Sequence, residues 1–251
     1  MGGKGQGAPP PKAPLERIRS EPLRSSIILV SVPVLITLFT YFGSNDFFRR
    51  TYCAGEACGD FNGFVYHHLG AFFILGVCSA VLGGVLGFGP RQLGLGRGDW
   101  RYGLKFCVLA IPLLVVPITF AGSYTPDVAL QYPAAKDALQ SPGRFAIYTA
   151  FYLLYYVGWE TFFRGYTLFG LAKRFGAWAA ILIQTIPSTV IHTSIVASGK
   201  PFAETMGAVP TGIVLGWLTV RTGSIWYAFA IHASLGVLTD LWQYLHAHGM
   251  L

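Results

Sequence analysis

Five ionisable side chains of this sequence stand inside runs of apolar residues: Glu160 and Arg164, His192, and His232 with Asp240. A charge in hydrocarbon is costly, so an ionisable group in such a run marks function by default. Glu160 and Arg164 are four residues apart, on one face of a helix, with the acid N-terminal to the base, the better order for a pair. His232, Gly236 and Asp240 share one stripe of a later helix. One carboxylate, one guanidinium and two imidazoles on three helices suffice for water-activating acid–base catalysis. Glu204 lies near the mouth of a further apolar run.

The elements that must position these groups follow from composition. Of 251 residues, 53% are hydrophobic and 12% charged, about half the charged share of an ordinary soluble domain. Apolar stretches long enough to cross hydrocarbon recur along the chain. The expectation is an all-α, polytopic membrane helix bundle of about seven transmembrane helices. Its spans are Ser26–Phe42, Phe64–Phe88, Lys105–Ser123, Phe145–Leu171, Phe175–Ser198, Thr205–Val220 and Ser224–Leu245. Residues 1–24 are Gly- and Pro-rich and basic, without apolar periodicity, and read as a disordered cytoplasmic tail; residues 25–251 form the membrane domain.

Orientation rests on Lys and Arg. With the N-terminus cytoplasmic, that side carries twelve of them and the opposite side five, Arg49, Arg50, Lys136, Arg144 and Lys200. The split favours a cytoplasmic N-terminus and, with seven spans, an external C-terminus. The net charge of +7 is then mostly an anchor to the cytoplasmic leaflet of the lipid bilayer. No aromatic–basic interleaving points to nucleic acid. Cys53 and Cys58 fall in an external loop, where a short disulfide or two free thiols are both compatible. Cys78 and Cys107 read as small packing residues within spans.

Each polar residue also has a plainer reading. Glu160–Arg164 alone is a helix-locking ion pair, and His192 follows Pro187, which frees a carbonyl for a side chain to satisfy. His232 alone is a cross-helix hydrogen bond. Asp240 lies within two turns of the outer end and reads as snorkelling. Gly212 and Gly216 read as close packing, and His67 and His68 as membrane-edge residues.

Order along the chain adds to these single readings. The stretch Trp159-Glu160-Thr161-Phe162-Phe163-Arg164-Gly165 resembles the first motif, EExxxR followed by Gly, of the CPBP (CAAX protease and bacteriocin-processing, or Abi) family, which includes the type II CAAX prenyl endopeptidases. His192 and His232 follow in the order of its FxxxH and HxxxN motifs, and the resemblance covers about residues 145–240. Three positions depart from the pattern: Trp159 for the first Glu, Ser188 for the aromatic residue before His192, and Gly236 for Asn after His232.

The resemblance implies an intramembrane endopeptidase acting on a membrane-associated protein or peptide. Glu160 would deprotonate a water held with His192, His232 would donate to the developing oxyanion, and Arg164 would keep Glu160 ionised and oriented. The expectation is no metal or other cofactor; the alternative is a divalent metal such as zinc on Glu160, His192 and His232. The competing function is non-catalytic, a membrane scaffold or small transporter descended from the family without the first Glu. A transporter's internal repeat with broken helices is not found.

Other intramembrane protease types fit less well. There is no HExxH. Gly96-Arg97-Gly98-Asp99 spells GxGD but lies in a basic loop, and no Gly-x-Ser-Gly is present.

Overall fold

A computed structural model of the chain describes residue 16 and residues 18–53, 59–193 and 200–251. Residues 1–15 and 17, on which the tail expectation falls, and Cys58 lie outside the described residues. Among the described residues the fold is all-α, with nine helices and no strand. They are α1 (Glu21–Phe42), α2 (Asn45–Tyr52), α3 (Asp60–Val85), α4 (Trp100–Gly122), α5 (Pro126–Gln131), α6 (142–175), α7 (Ala177–Val190), α8 (Phe202–Thr222) and α9 (Trp226–Ala247). Each of the seven apolar runs in the sequence carries one of the longer helices. Three of these, α1, α3 and α4, are long and apolar enough to cross a membrane, with mean hydropathy of 2.0, 1.9 and 2.3. The protein is an integral membrane helix bundle. Val30, Val34, Val108, Leu113, Leu114, Ile118 and Ile186 face outward from it, as lipid-facing side chains must.

The fifth run is shorter as a helix than expected. α7 has 14 residues, about 21 Å of rise, and ends at Val190. His192 therefore sits just beyond the helix rather than within it, and 194–199 lie outside the described residues.

Two features fix where α6 runs. The first is a backbone-to-backbone crossing with α3. A Cβ on Gly76 would stand 2.6 Å from the Gly158 Cα, and one on Gly158 would stand 2.7 Å from the Phe72 Cα. Only paired glycines permit that approach, and it lies immediately before Trp159 and Glu160. The second is a change of winding. α6 is α-helical over Pro142–Glu160, a π-helix over Thr161–Phe169, and α-helical again over Gly170–Phe175. A π turn bonds i to i+5 and is wider than an α turn. Tyr166, inside it, ties α6 to α1 through a 2.7 Å hydrogen bond with Ser31.

The core follows from this. Ile28, Val32, Leu35 and Phe39 of α1 pack with Phe162, Phe163, Leu168 and Leu171 of α6 and with Ala180 and Ile181 of α7. Gly212 and Gly216 of α8 do provide close packing: a Cβ there would meet Thr185 at 2.9 Å and Ile181 at 3.1 Å on α7. α9 is tied to α4 by Trp242 Nε1 donating to Thr119 Oγ1 (3.0 Å) and Gln243 donating to the Ser123 carbonyl (2.9 Å). At the opposite end of α9, the GxGD loop has a structural task. Asp99 accepts from the Tyr102 N–H to cap α4 and pairs with Arg221 at 3.4 Å, while its own N–H donates to the Thr222 carbonyl.

Cys53 is disulfide-bonded, Cys107 is a buried free thiol, and Cys78 is an exposed free thiol rather than a packing residue.

Candidate active site

Glu160 is the last α-helical residue of α6 before the π segment and is 0% exposed. Its Oε1 accepts two charge-assisted bonds, from Arg164 Nη1 at 3.1 Å and from His232 Nδ1 at 2.7 Å. Arg164 is itself 2% exposed. The sequence spacing predicted the first of these contacts, and α9 supplies the second by laying its His232 turn against α6. An ionised carboxylate can only accept, so the His232 proton that meets it is on Nδ1; in the neutral ring Nε2 then carries a lone pair. Glu160 Oε2 is buried and has no hydrogen-bond partner among the described residues.

His192 is held differently. Its Nδ1 donates to the Ser188 carbonyl at 2.7 Å, leaving Nε2 as an acceptor. Ser188, where the family pattern has an aromatic side chain, thus serves through its backbone, one turn before His192 and two residues before the end of α7. Trp159 lies between the two imidazoles. Its indole is 5.8 Å from the His192 ring and 6.4 Å from the His232 ring, edge-on to both, and stacks on Tyr155 at 5.4 Å. The residue that replaces the first Glu is a 1%-exposed wall of the site. It cannot take a proton.

The four sequence candidates therefore fall in one region: Glu160, Arg164 and His232 in direct contact, with His192 across Trp159. Among the described residues no three His, Cys, Asp or Glu side chains come together as a metal site would require.

Two expectations need correction. Asp240 does not snorkel. It is 0% exposed, its Oδ2 accepts from the Tyr148 hydroxyl at 3.1 Å, and its Oδ1 is buried without a partner among the described residues. Two turns of helix were enough to bring it inward because Tyr148 of α6 reaches across to it. His68, likewise, is no edge residue: it is 5% exposed, bonded to the Phe64 carbonyl, and packed on Phe64, Tyr152 and Tyr155.

Glu204 is occupied by neighbours. Tyr132 donates to both its oxygens, at 2.7 and 2.8 Å, and Lys200 pairs with it at 3.1 Å while also bonding the Tyr132 hydroxyl. Burial first, and the Glu204 charge second, push the Tyr132 phenol well above its ordinary range, so it stays a donor. This trio is a saturated polar cluster at the start of α8, unlike the half-satisfied carboxylate of Glu160.

Sequence reasoning missed a stripe of tyrosines. Tyr148, Tyr152 and Tyr156 precede Glu160 at intervals of four on the same face of α6, and all are buried. Tyr156 packs on the His232 ring at 4.7 Å. The repeat was visible as spacing, but tyrosine in an apolar run reads as packing until its hydroxyl is seen to point at something.

Residues 141–238 match the family described as Type II CAAX prenyl endopeptidase Rce1-like. The matched span opens at the N-cap of α6 and closes within α9, so it contains every residue of the site. No curated protein and no solved structure matches the chain.

Proposed function

We propose, taking the match of residues 141–238 to type II CAAX prenyl endopeptidases as the premise, that the chain is an intramembrane endopeptidase in which Glu160 activates water through His232. The observation that carries this reading is the 2.7 Å contact between Glu160 Oε1 and His232 Nδ1 in a buried setting. A carboxylate on Nδ1 fixes the tautomer and orients Nε2 as a general base, the arrangement of a carboxylate–imidazole pair in hydrolases. Glu160 has no accessible surface, whereas the His232 side chain is 16% exposed. The imidazole is the part that water can reach.

The reaction then runs as follows. His232 Nε2 takes a proton from water, whose oxygen bonds to the peptide carbonyl carbon as the carbonyl π electrons move onto oxygen. Collapse breaks the C–N bond, and the leaving amine takes the proton back from His232. His192 Nε2 accepts a hydrogen bond from the same water and holds it on line. Arg164 compensates the buried carboxylate throughout. The substrate is a membrane-associated protein or peptide, and the matching family's description points to a prenylated C-terminal tail.

The test is cleavage, in membranes, of a fluorescence-quenched peptide ending in a prenylated Cys and three further residues. Wild type is expected to cleave it with full activity in strong chelators, and His192→Ala to fall by roughly 10²-fold, as for loss of a positioned acid–base group. Loss on chelation that metal restores would replace this reading with a His₂Glu metal centre on Glu160, His192 and His232. No cleavage by wild type would favour the non-catalytic scaffold.

Seven crossings with the N-terminus cytoplasmic complete the proposal, supported by the distribution of Lys and Arg. A reporter fused after Leu251 is expected to be external and one inserted at 91–101 cytoplasmic. Both on one side would rule out seven crossings.

A further inference from the structure

His232 has one N–H in its neutral form, and Glu160 takes it. The ring therefore has no proton to give an oxyanion at the moment its Nε2 accepts one from water. Arg164 Nη1 is directed at Glu160, its Nε is buried without a partner among the described residues, and the His192 Nδ1 proton is held by the Ser188 carbonyl. Of the four site residues only Arg164 thus keeps an unengaged N–H, and it is enclosed in a side chain 2% exposed, so the developing negative charge lacks an accessible donor among them.

A donor stands beside them. A Cβ on Gly236, one turn beyond His232 on the same face of α9, would be 2.0 Å from the Tyr156 hydroxyl and 2.9 Å from the Tyr152 hydroxyl. The space that any larger residue 236 would fill is thus taken by two phenolic oxygens from α6. Tyr156 lies one turn before Glu160 and packs edge-on against the His232 ring. Its hydroxyl is hydrogen-bonded to that of Tyr152, its immediate polar neighbour, and among the described residues no other acceptor for its proton is present. Ring contacts with Tyr152, Tyr155 and His232 hold it in place.

We propose that the Tyr156 hydroxyl is the hydrogen-bond donor to the anionic oxygen formed on the substrate carbonyl, seated in the gap left by Gly236. It stays a donor and does not itself gain or lose a proton in the cycle. Gly236 is then required as the absence of a side chain. The inference rests on the hydrolytic reading above.

The test uses the same prenylated, quenched peptide with the full-length chain in membranes. Removing one such donor costs about 10²–10³-fold in turnover, so Tyr156→Phe is expected to lower kcat by about 10²-fold with KM nearly unchanged. Gly236→Ala, which pushes the hydroxyl away while keeping it, is expected to lower kcat in the same way. Tyr156→Leu combined with Gly236→Asn returns a donor from the other helix and is expected to recover most of the loss. Full kcat in Tyr156→Phe, with Glu160→Gln inactive, overturns this inference and leaves the hydrolase reading standing. A rise in KM parallel to the fall in kcat, with no recovery in the double variant, also overturns it, because Tyr156 would then be a packing residue only. Full activity in Glu160→Gln, or no cleavage by wild type, overturns the hydrolase reading and this inference with it.

Discussion

Glu160→Gln, His232→Ala and the variant carrying both are expected to lose cleavage to the same depth, on the order of 10⁴-fold, as seen when the carboxylate of such a pair becomes an amide. The reason is geometric. The Gln amide can meet His232 Nδ1 with its N–H₂ as well as with its oxygen, and in the former case the imidazole proton moves to Nε2, where the lone pair is needed. Removing the ring removes the base outright. Residues that act as one unit give losses that do not multiply, so the double variant falls no further than either single one. The measurement is kcat/KM at matched membrane levels. Multiplying losses would show that Glu160 acts on the water directly through Oε2. Trp159→Phe is expected to be mild, since the ring keeps its place beside Tyr155 and both imidazoles. Glu204→Gln is expected to retain cleavage; loss in that variant alone would move the base there.

Arg164→Leu is expected to destabilise the protein by about 3–5 kcal/mol, the cost of leaving one member of a buried ion pair uncompensated. Arg164 is 2% exposed and Glu160 0% exposed, so water cannot take over the role of the guanidinium. The companion variant Glu160→Gln/Arg164→Leu removes both charges and is expected to recover much of the lost stability, although not activity. Thermal unfolding in detergent, read as a double-mutant cycle, separates the two. Equal destabilisation in the single and double variants would mean that Arg164 matters for its packing and not for its charge.

Much of this was legible in the residues. Seven apolar runs gave seven helices, and the four-residue spacing of Glu160 and Arg164 gave their contact, because a helix places i and i+4 together whatever surrounds it. The direct contact of His232 with Glu160 was not legible, since no spacing relates residues on different helices and the resemblance set Glu160 with His192 on the water and His232 on the oxyanion. Asp240 was misread because depth along a helix says nothing about which way it faces. Tyr156 and Gly236 were each visible and each uninformative alone. Their meaning lies in a 2.0 Å conflict that exists only once α6 and α9 cross. The Gly76–Gly158 approach was hidden for the same reason: a glycine in an apolar helix is common, and two that touch can be known only from the crossing.

The π winding of Thr161–Phe169 bears on which changes in length this chain can tolerate. The 86–99 connection is pinned to residues 222–227 through the backbones of Gly94, Leu95, Arg97 and Asp99, so a deletion there strips contacts between elements. A deletion of one residue between 161 and 169 instead offers the helix a return to α winding, whose tighter turn takes up the lost residue for the segment that follows. Gly170 would then keep its place against Ile28, while Arg164 would leave the carboxylate and Tyr166 would leave Ser31 if the lost residue lay before them. One-residue deletions across 161–169 should therefore leave the bundle folded while abolishing cleavage, whereas deletions across 94–99 should lower its thermal stability.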